Sequence, residues 1–207
     1  MPRGSAELTN ARREEIVNAC KELYQTMSFK EITIKEIASY TSFTRPSIYN
    51  YFETKEEIFL AILQKEYELW VKELNEVTAE HETLSKEALA EALASSLEHR
   101  ALLLKLMSMN HYDMEANSRM ERLVEFKKAY GASLTAVAAL LKKFCSDVDS
   151  DAFLYNFFPF IYGIYPYAVV TEKQKEAMEQ AAVDYQYHTI YELAYRSALT
   201  LLQQSAN

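Results

Sequence analysis

Residues 33–55 carry a dense run of basic and hydrogen-bonding side chains, among them Arg45, Ser47, Tyr49 and Asn50. Arginine can form two hydrogen bonds with guanine, and asparagine can do so with adenine. The hydroxyl groups of serine, threonine and tyrosine can bind phosphate oxygens. These residue types therefore indicate contacts with the bases and backbone of a nucleic acid.

Two short predicted helices must position these side chains. Thr33 is the expected N-cap of one helix, with Glu36 at capping-box spacing. Thr44 begins the other, and Pro46 lies in its first turn, where the missing N–H is tolerated. A turn over residues 41–43 joins them, and the layout is that of a helix-turn-helix motif, whose second helix enters the major groove. The apolar side chains expected to pack on a preceding helix over residues 6–27 are Ile37, Ala38, Phe43, Ile48 and Phe52.

A plain amphipathic helix pair with a solvated polar face is the alternative, and it is the commonest meaning of such a pattern. Arg45, Tyr49 and Tyr51 weigh against it, because large side chains on a short water-facing helix are uneconomical unless something binds them. The pattern alone leaves both interpretations open.

The stretch TIKEIASYTSFTRPSIYNYFETKEEIF, with ARREEIVNACKELY as the preceding helix, resembles the DNA-binding head of TetR-family transcriptional regulators. The likeness runs from residue 11 to residue 59. It implies an N-terminal three-helix DNA-binding domain and a C-terminal helical domain that dimerises and often binds an effector. Ser42 departs from the usual glycine and Phe43 from the usual valine. Ser42 would be strained if the turn needed a positive φ angle.

The resemblance also implies which residues meet DNA. Phosphate contacts are expected from Thr33, Thr44, Tyr49, Tyr51 and Lys55. Positions nearest the bases are expected to be Arg45, Pro46, Ser47 and Asn50.

The rest of the chain predicts an all-α fold. It contains 3 Gly and 4 Pro, too few for a sheet-rich protein. Apolar spacing predicts a helix from residue 54 to about residue 77, and further helices over 85–109, 118–146, 150–170, 172–182 and 186–204. Residues 110–118 are expected to form a loop. We place the DNA-binding domain at residues 1–53 and a ligand-binding and dimerisation domain at residues 54–207.

Residues 150–170 contain eight Phe or Tyr and permit two interpretations. The rings can form core or dimer interface, which is the usual role of an aromatic stripe, or some can line an effector cavity. Pro159 and Pro166 are expected to bend this segment. The family resemblance predicts that the last two long helices pair with a second subunit. The candidate pocket residues are Leu103, Leu106, Met107, Met109, Met114, Phe126, Tyr130, Phe158, Tyr162 and Tyr165.

Charge and composition limit which other functions and cellular locations are expected for the protein. The net charge is −8, yet residues 1–60 carry 8 Lys or Arg against 9 Asp or Glu, so the acidity lies in the C-terminal part. The four histidines and two cysteines lack the spacing of metal ligands, and no catalytic motif is present, so no metal, cofactor or enzymatic activity is expected. The absence of a signal peptide and of a long apolar run predicts a cytoplasmic protein.

Together these features predict a homodimeric regulator, in the usual case a repressor, that binds a pseudo-palindromic double-stranded DNA operator. A small hydrophobic or aromatic effector is expected to release it. The alternatives are an effector-independent regulator, an activator, or a protein-interaction module without DNA binding.

Overall fold

The computed structural model describes residues 3–204, which form eleven α-helices and no β-strand. The predicted all-α fold is therefore confirmed. The helices are α1 (Arg3–Leu23), α2 (Ile34–Ser39), α3 (Arg45–Ile48), α4 (Lys55–Glu80), α5 (Lys86–Glu98), α6 (Ala101–Ala116), α7 (Met120–Phe144), α8 (Ser150–Gly163), α9 (Tyr165–Ala168), α10 (Glu172–Gln180) and α11 (Ile190–Gln203). Within the described part of the chain, no helix is long and apolar enough to cross a membrane.

The chain divides into two compact units. The first comprises Met1–Lys65 and Asn110–Ala129, and the second comprises Glu66–Met109 and Tyr130–Asn207. The first unit thus contains the predicted DNA-binding motif together with a segment that is distant in sequence. The boundary expected between residues 53 and 54 stays a prediction.

The first unit has its core where α1, α2, α3 and the start of α4 converge. Ile16 and Cys20 of α1 are fully buried, as expected from their spacing of four residues. Ile37 of α2, Ile48 of α3 and Phe52 are fully buried as well. Since these side chains face inward, the opposite sides of α2 and α3 face the solvent.

The second unit is organised around α11, which packs against α5 and α8. Every fourth residue of α11 is buried, and two of these are alanines, so that the helices can approach closely. These buried residues are Ile190, Ala194, Ala198 and Leu202. Trp70 is another fully buried anchor of this unit, and its indole Nε1 donates a hydrogen bond of 2.9 Å to Ser96 Oγ.

The loop expected over residues 110–118 is wrong for most of its length, because α6 continues to Ala116. Residues 110–118 are mostly polar but contain no Gly or Pro that would end a helix. Asn117 Nδ2 and Ser118 Oγ donate to the carbonyl oxygens of Asp113 and Met114, so they serve the C-terminal turn of α6. Polar side chains on the last carbonyls of a helix thus resembled a loop in the sequence.

Two other expected helices are interrupted. The helix expected over residues 85–109 is divided at His99, the C-cap of α5. The Arg100 side chain stabilises the interruption after α5, because it donates to Leu69 O at 3.1 Å and to Glu73 Oε2 at 2.9 Å. The segment 150–170 is divided into α8 and α9 just before Pro166, whereas Pro159 lies inside α8.

Candidate nucleic-acid interface

Thr33 and the start of α2 have the expected capping geometry. Thr33 is the N-cap, and its hydroxyl oxygen accepts a hydrogen bond from the backbone N–H of Glu36 at 3.4 Å. The same hydroxyl also donates to the carboxylate of Glu36. Ile34 and Ile37 are buried, while Thr33 itself is exposed at the N-terminus of α2. Helix N-termini carry free N–H groups and partial positive charge, which favours an anion there.

The turn between α2 and α3 is held without glycine. Among the described residues, the only non-glycine residue with positive φ is Ala182, so Ser42 does not bear the strain considered from the sequence. The Ser42 backbone N–H instead donates to Glu15 Oε1 at 2.6 Å. Thr41 Oγ1 donates to Ala38 O at 3.1 Å and closes the end of α2. An acidic side chain of α1 therefore fixes the turn geometry.

The helix that carries the predicted base contacts is shorter than expected. The helix expected to begin at Thr44 included Tyr49 and Asn50, but α3 ends at Ile48, and a turn follows over residues 49–51. Ile48 and Phe52 are fully buried and anchor both parts. Thr44 is the N-cap residue, but its side chain bonds the hydroxyl of Ser47 at 3.0 Å rather than a backbone N–H.

The outward face of α3 and the following turn presents the predicted contact residues. Arg45, Pro46 and Asn50 are exposed, and Tyr49 keeps 44% of its surface accessible to solvent. The Arg45 guanidinium donates to Tyr49 Oη at 3.3 Å, and its Cζ lies 6.0 Å from the centre of the Tyr49 ring. This pair holds an extended cation and a phenol side by side on the surface. The geometry suits a bidentate contact with a base next to a phosphate contact.

Two residues of α1 join this surface that sequence reasoning did not single out. Arg12 donates to Tyr51 Oη at 3.3 Å, and its guanidinium lies 5.6 Å from the centre of the Phe43 ring. Glu15 fixes the turn, as described above. A polar face on α1 was visible in the sequence, but the contacts that pair each residue with a partner require the packing of three helices.

Lys55 occupies a more internal position than the other predicted phosphate ligands. Its Nζ donates to Phe29 O at 2.6 Å and to Ile32 O at 3.1 Å, and it lies 4.4 Å from the centre of the Phe29 ring. The ammonium group thus closes the segment that follows α1. Since an ammonium has three N–H donors, the predicted phosphate contact of Lys55 stays a prediction.

A buried ion pair ties the beginning of α4 to the beginning of α7. The Glu57 residue is 1% exposed, and its carboxylate accepts hydrogen bonds from Arg119 Nε at 2.6 Å and from Arg119 Nη2 at 2.8 Å. The backbone N–H groups of Glu53 and Arg119 donate to it at 2.8 Å and 3.0 Å. Burial by itself raises the pKa of this carboxyl, but the four hydrogen bonds outweigh it and lower the pKa of Glu57 to about 2.

Further contacts in the first unit support this ion pair. Thr54 Oγ1 donates to Asn117 O at 2.9 Å, and Arg119 Nη1 lies 3.2 Å from a carboxylate oxygen of Glu53. The hydrogen bonds of the Glu57 carboxylate raise the pKa of the Arg119 guanidinium above its usual value. The segment that begins α7 is therefore bonded directly to the residues that follow Phe52.

The predicted pocket residues are distributed over both units. Met114 and Phe126 belong to the first unit, and the other eight belong to the second. Tyr130, Phe158 and Tyr162 line a cavity of about 230 Å³ in the second unit, but the remaining seven are not among its lining residues. Met109 is 58% exposed. Among the described residues, no group of three or more His, Cys, Asp or Glu side chains is arranged to hold a metal ion.

Comparison with protein families identifies the chain. The profile described as "Tetracyclin repressor-like, C-terminal domain" matches residues 64–204, and the profile described as "Bacterial regulatory proteins, tetR family" matches residues 16–62. The chain belongs to the TetR family. The N-terminal match of this TetR-family protein contains α2, the turn and α3, so the resemblance noted in the sequence is confirmed.

Individual relatives agree with the family assignment. The uncharacterized HTH-type transcriptional regulator YfiR of Bacillus subtilis is 28% identical over 83 residues, which are 40% of this chain and 40% of that relative. A TetR/AcrR-family transcriptional regulator from Thermobifida fusca superimposes with a TM-score of 0.63 at 18% identity, covering 95% of this chain and 100% of that chain. The regulator FadR of Bacillus subtilis, solved in complex with stearoyl-CoA, gives a TM-score of 0.59 at 17% identity, covering 94% and 99%. At these sequence identities, the comparison with the two solved structures shows that this chain has the same fold as they do.

Proposed function

We propose that this TetR-family protein is a sequence-specific DNA-binding transcriptional regulator that presents α3 to the major groove. The exposed pair formed by Arg45 of α3 and Tyr49, the residue that follows α3, is the observation that carries the proposal. The buried Ile48 and Phe52 orient this pair outward, and α1 supports it through the contacts of Arg12. In this arrangement Arg45 and Asn50 read base edges, and Thr33, Thr44 and Tyr51 bind phosphates.

The proposed active form is a homodimer. One short recognition helix covers only a few base pairs, and two copies on a pseudo-palindrome supply the specificity that a regulator needs. The exposed side of α8 supports this form, because Ala152, Asn156 and Gly163 leave part of it without bulky side chains, next to the exposed ring of Tyr155. A Cβ atom added to Gly163 would meet nothing within 4 Å, so no neighbour in the described part of the chain requires glycine there.

An open apolar groove beside Gly163 also supports the dimer. The groove has a volume of about 350 Å³. Only part of the predicted α11 stripe is available to a partner, because its four most buried residues face α5 and the core of their own subunit. Leu193, Ser197 and Leu201 are half-exposed on the neighbouring side of α11. The groove is lined by Pro159, Phe160, Gly163, Ile164, Tyr167, Tyr185 and Leu193.

In this proposal the protein is a repressor that a small hydrophobic or aromatic molecule releases from its operator. An effector that binds the DNA-free form more tightly must weaken DNA binding by linkage. The aromatic cavity of the second unit is a candidate site for such a molecule. A regulator of this kind acts on chromosomal DNA, so the proposed location of the protein is the cytoplasm. Members of the family are regulators and not enzymes.

Titration of DNA tests the proposal. A duplex is first selected from a random library by the protein, and its affinity is then compared with that of a scrambled duplex by fluorescence anisotropy at 50 mM and 200 mM salt. The proposal predicts that the selected sequence contains an inverted repeat and binds at least about 10³-fold more tightly than the scrambled one. Binding to the two duplexes with equal affinity at both salt concentrations would contradict it.

A further inference from the structure

The cavity between α7 and α8 in the second unit has the chemistry of a ligand site. Its volume is about 230 Å³. Helix α7 contributes two of the lining residues and α8 contributes the other six. The lining residues are Tyr130, Leu134, Asp151, Leu154, Tyr155, Phe158, Pro159 and Tyr162.

The size of the cavity limits the ligand. A protein cavity of about 150 Å³ accommodates one benzene molecule. The volume here therefore has room for one aromatic ring and a short chain of a few heavy atoms. A long acyl chain linked to coenzyme A does not fit within this space.

Four of the eight lining residues are aromatic. Tyr130, Phe158 and Tyr162 contact neighbouring side chains, whereas Tyr155 is 80% exposed at the open side of the cavity. The rings of Tyr130 and Phe158 meet edge to face, with their centres 5.9 Å apart. Tyr67 Oη donates to Tyr162 Oη at 3.2 Å, which fixes the phenol of Tyr162. Burial raises the pKa of Tyr130, so this phenol stays neutral at physiological pH. The faces of such rings are partially negative and attract cations.

The charge of the wall is negative. Asp151 contributes a carboxylate, and among the described residues that line the cavity none is Lys, Arg or His. Asp151 and Tyr155 lie one helical turn apart on α8, so they share one face. Pro159, one further turn along, has no N–H, and the Tyr155 carbonyl therefore lacks the donor that it would have in a regular helix. Both oxygen groups are acceptors for a positively charged donor.

A second proline frees another backbone carbonyl of α8, and that carbonyl has a hydrogen-bond donor from outside the helix. Pro166 stands four residues after Tyr162, so the Tyr162 carbonyl also lacks its regular donor. Ser108 Oγ donates to that oxygen at 2.7 Å. A donor from outside the helix thus satisfies one freed carbonyl, and a ligand can do the same for the other.

We propose that this cavity binds a small organic cation that consists of one aromatic ring joined by a short chain to an ammonium group. The ring packs against Phe158 and Leu134, and the ammonium lies between the Asp151 carboxylate and the Tyr155 ring and carbonyl. The role of this cation as the effector rests on the proposed function, whereas its binding does not.

Three probes of equal ring size test the charge preference. Isothermal titration calorimetry at pH 7 compares 2-phenylethylammonium, neutral 2-phenylethanol and anionic phenylacetate on the purified full-length protein. The cation is expected to bind at least about 10-fold more tightly than the neutral probe, a difference of about 1.4 kcal/mol, and the anion is expected to bind most weakly. Equal affinities for the three probes, or no measurable binding of the cation, would overturn the proposal.

Asp151→Asn separates a ligand contact from a merely structural role. Asp151 lies in the first turn of α8, where an acidic residue also favours the helix. The matched control is Asp184→Asn, which removes the same charge at an exposed position outside the cavity. The cation affinity is expected to fall roughly 5-fold in the first variant, as for an exposed ion pair, and to stay unchanged in the second. Unchanged affinity in Asp151→Asn, with a helix that is slightly less stable, would assign Asp151 a structural role only.

A DNA titration with the same preparation keeps the two proposals apart. If the protein binds the cation but no specific duplex, the ligand site stands and the proposed function fails. If it binds the duplex with the same affinity with and without a saturating cation, the site stands and its role as the effector site is refuted.

Discussion

Replacement of Arg119 by methionine should reveal how strongly the Glu57 ion pair stabilises the protein. Arg119→Met removes two hydrogen bonds from a carboxylate whose side chain has no solvent-exposed surface and leaves mainly the backbone donors of Glu53 and residue 119. The pKa of Glu57 falls from an ordinary value of 4.5 to about 2. A fall of that size corresponds to about 3 kcal/mol of preference for the ionised carboxyl in the folded state.

The loss of stability expected from Arg119→Met is smaller than this value for two reasons. The backbone donors contribute part of it, and 39% of the Arg119 side chain is exposed, so that water screens its charge. We therefore expect Arg119→Met to lower the free energy of unfolding by roughly 2 kcal/mol at pH 7. Chemical denaturation followed by circular dichroism, at one fixed protein concentration, measures this difference. Lys128→Met is the matched control, because Lys128 is an exposed cation of the same unit, and its removal should change the free energy by less than about 0.5 kcal/mol.

The pH dependence gives a sharper test of the same pair. Because the pKa of Glu57 is lower in the folded state, the stabilisation is fully present above about pH 4.5 and is lost as the pH falls toward about 2. The difference between the wild-type protein and Arg119→Met should therefore shrink over that interval. A difference that is absent at pH 7, or that stays constant down to about pH 3, would show that the Glu57–Arg119 pair does not stabilise the protein in this way.

Two further substitutions probe the second unit. Ser96→Ala leaves the buried indole N–H of Trp70 without its acceptor, so the free energy of unfolding should fall by about 1–2 kcal/mol in a denaturant titration, while the neighbouring Ser95→Ala should have little effect. Gly163→Glu should weaken dimerisation at least about 10-fold in analytical ultracentrifugation, because it places a charge on the proposed partner face, a cost of about 1.4 kcal/mol. Gly131→Glu, at another helical glycine with open space around it, should leave dimerisation unchanged; equal effects of the two would contradict the proposed face.

The helix-turn-helix motif was predictable from local sequence because local rules determine it. Thr33 caps α2 as its position before an apolar pattern indicated, and Ile37, Ile48 and Phe52 are buried as their spacing required. The family match covers the same residues. Exposure of Arg45 follows from that burial, because the two sides of a short helix cannot both face the core.

Contacts between distant segments were not predictable in this way. Glu57 and Arg119 are separated by 62 positions in the chain, and the residues around either one do not indicate that the other is its partner. Glu57 was expected to lie in the helix that begins at residue 54, and Arg119 in the helix over residues 118–146. The support of Ser42 by Glu15 is a similar case, since a turn that lacks glycine gives no indication of the acidic side chain that holds it.

Helix ends were the other source of error. Asn117 and Ser118 occur equally well in loops and on the last turn of a helix, where their side chains satisfy free carbonyl groups. The break at His99 depends on Arg100, whose guanidinium bonds a carbonyl and a carboxylate of α4. Tertiary contacts decided both positions, and a single sequence does not display them.

The affinity of Arg45→Ala for the selected duplex is the decisive measurement of whether α3 reads DNA. We expect this variant to fold and associate like the wild-type protein but to bind the duplex roughly 10-fold to 100-fold more weakly, with relaxed preference at one base pair of each half-site. Lys142→Ala, which removes an exposed cation from α7, should leave the affinity unchanged. Unchanged affinity and base preference in Arg45→Ala would contradict the claim that α3 reads DNA.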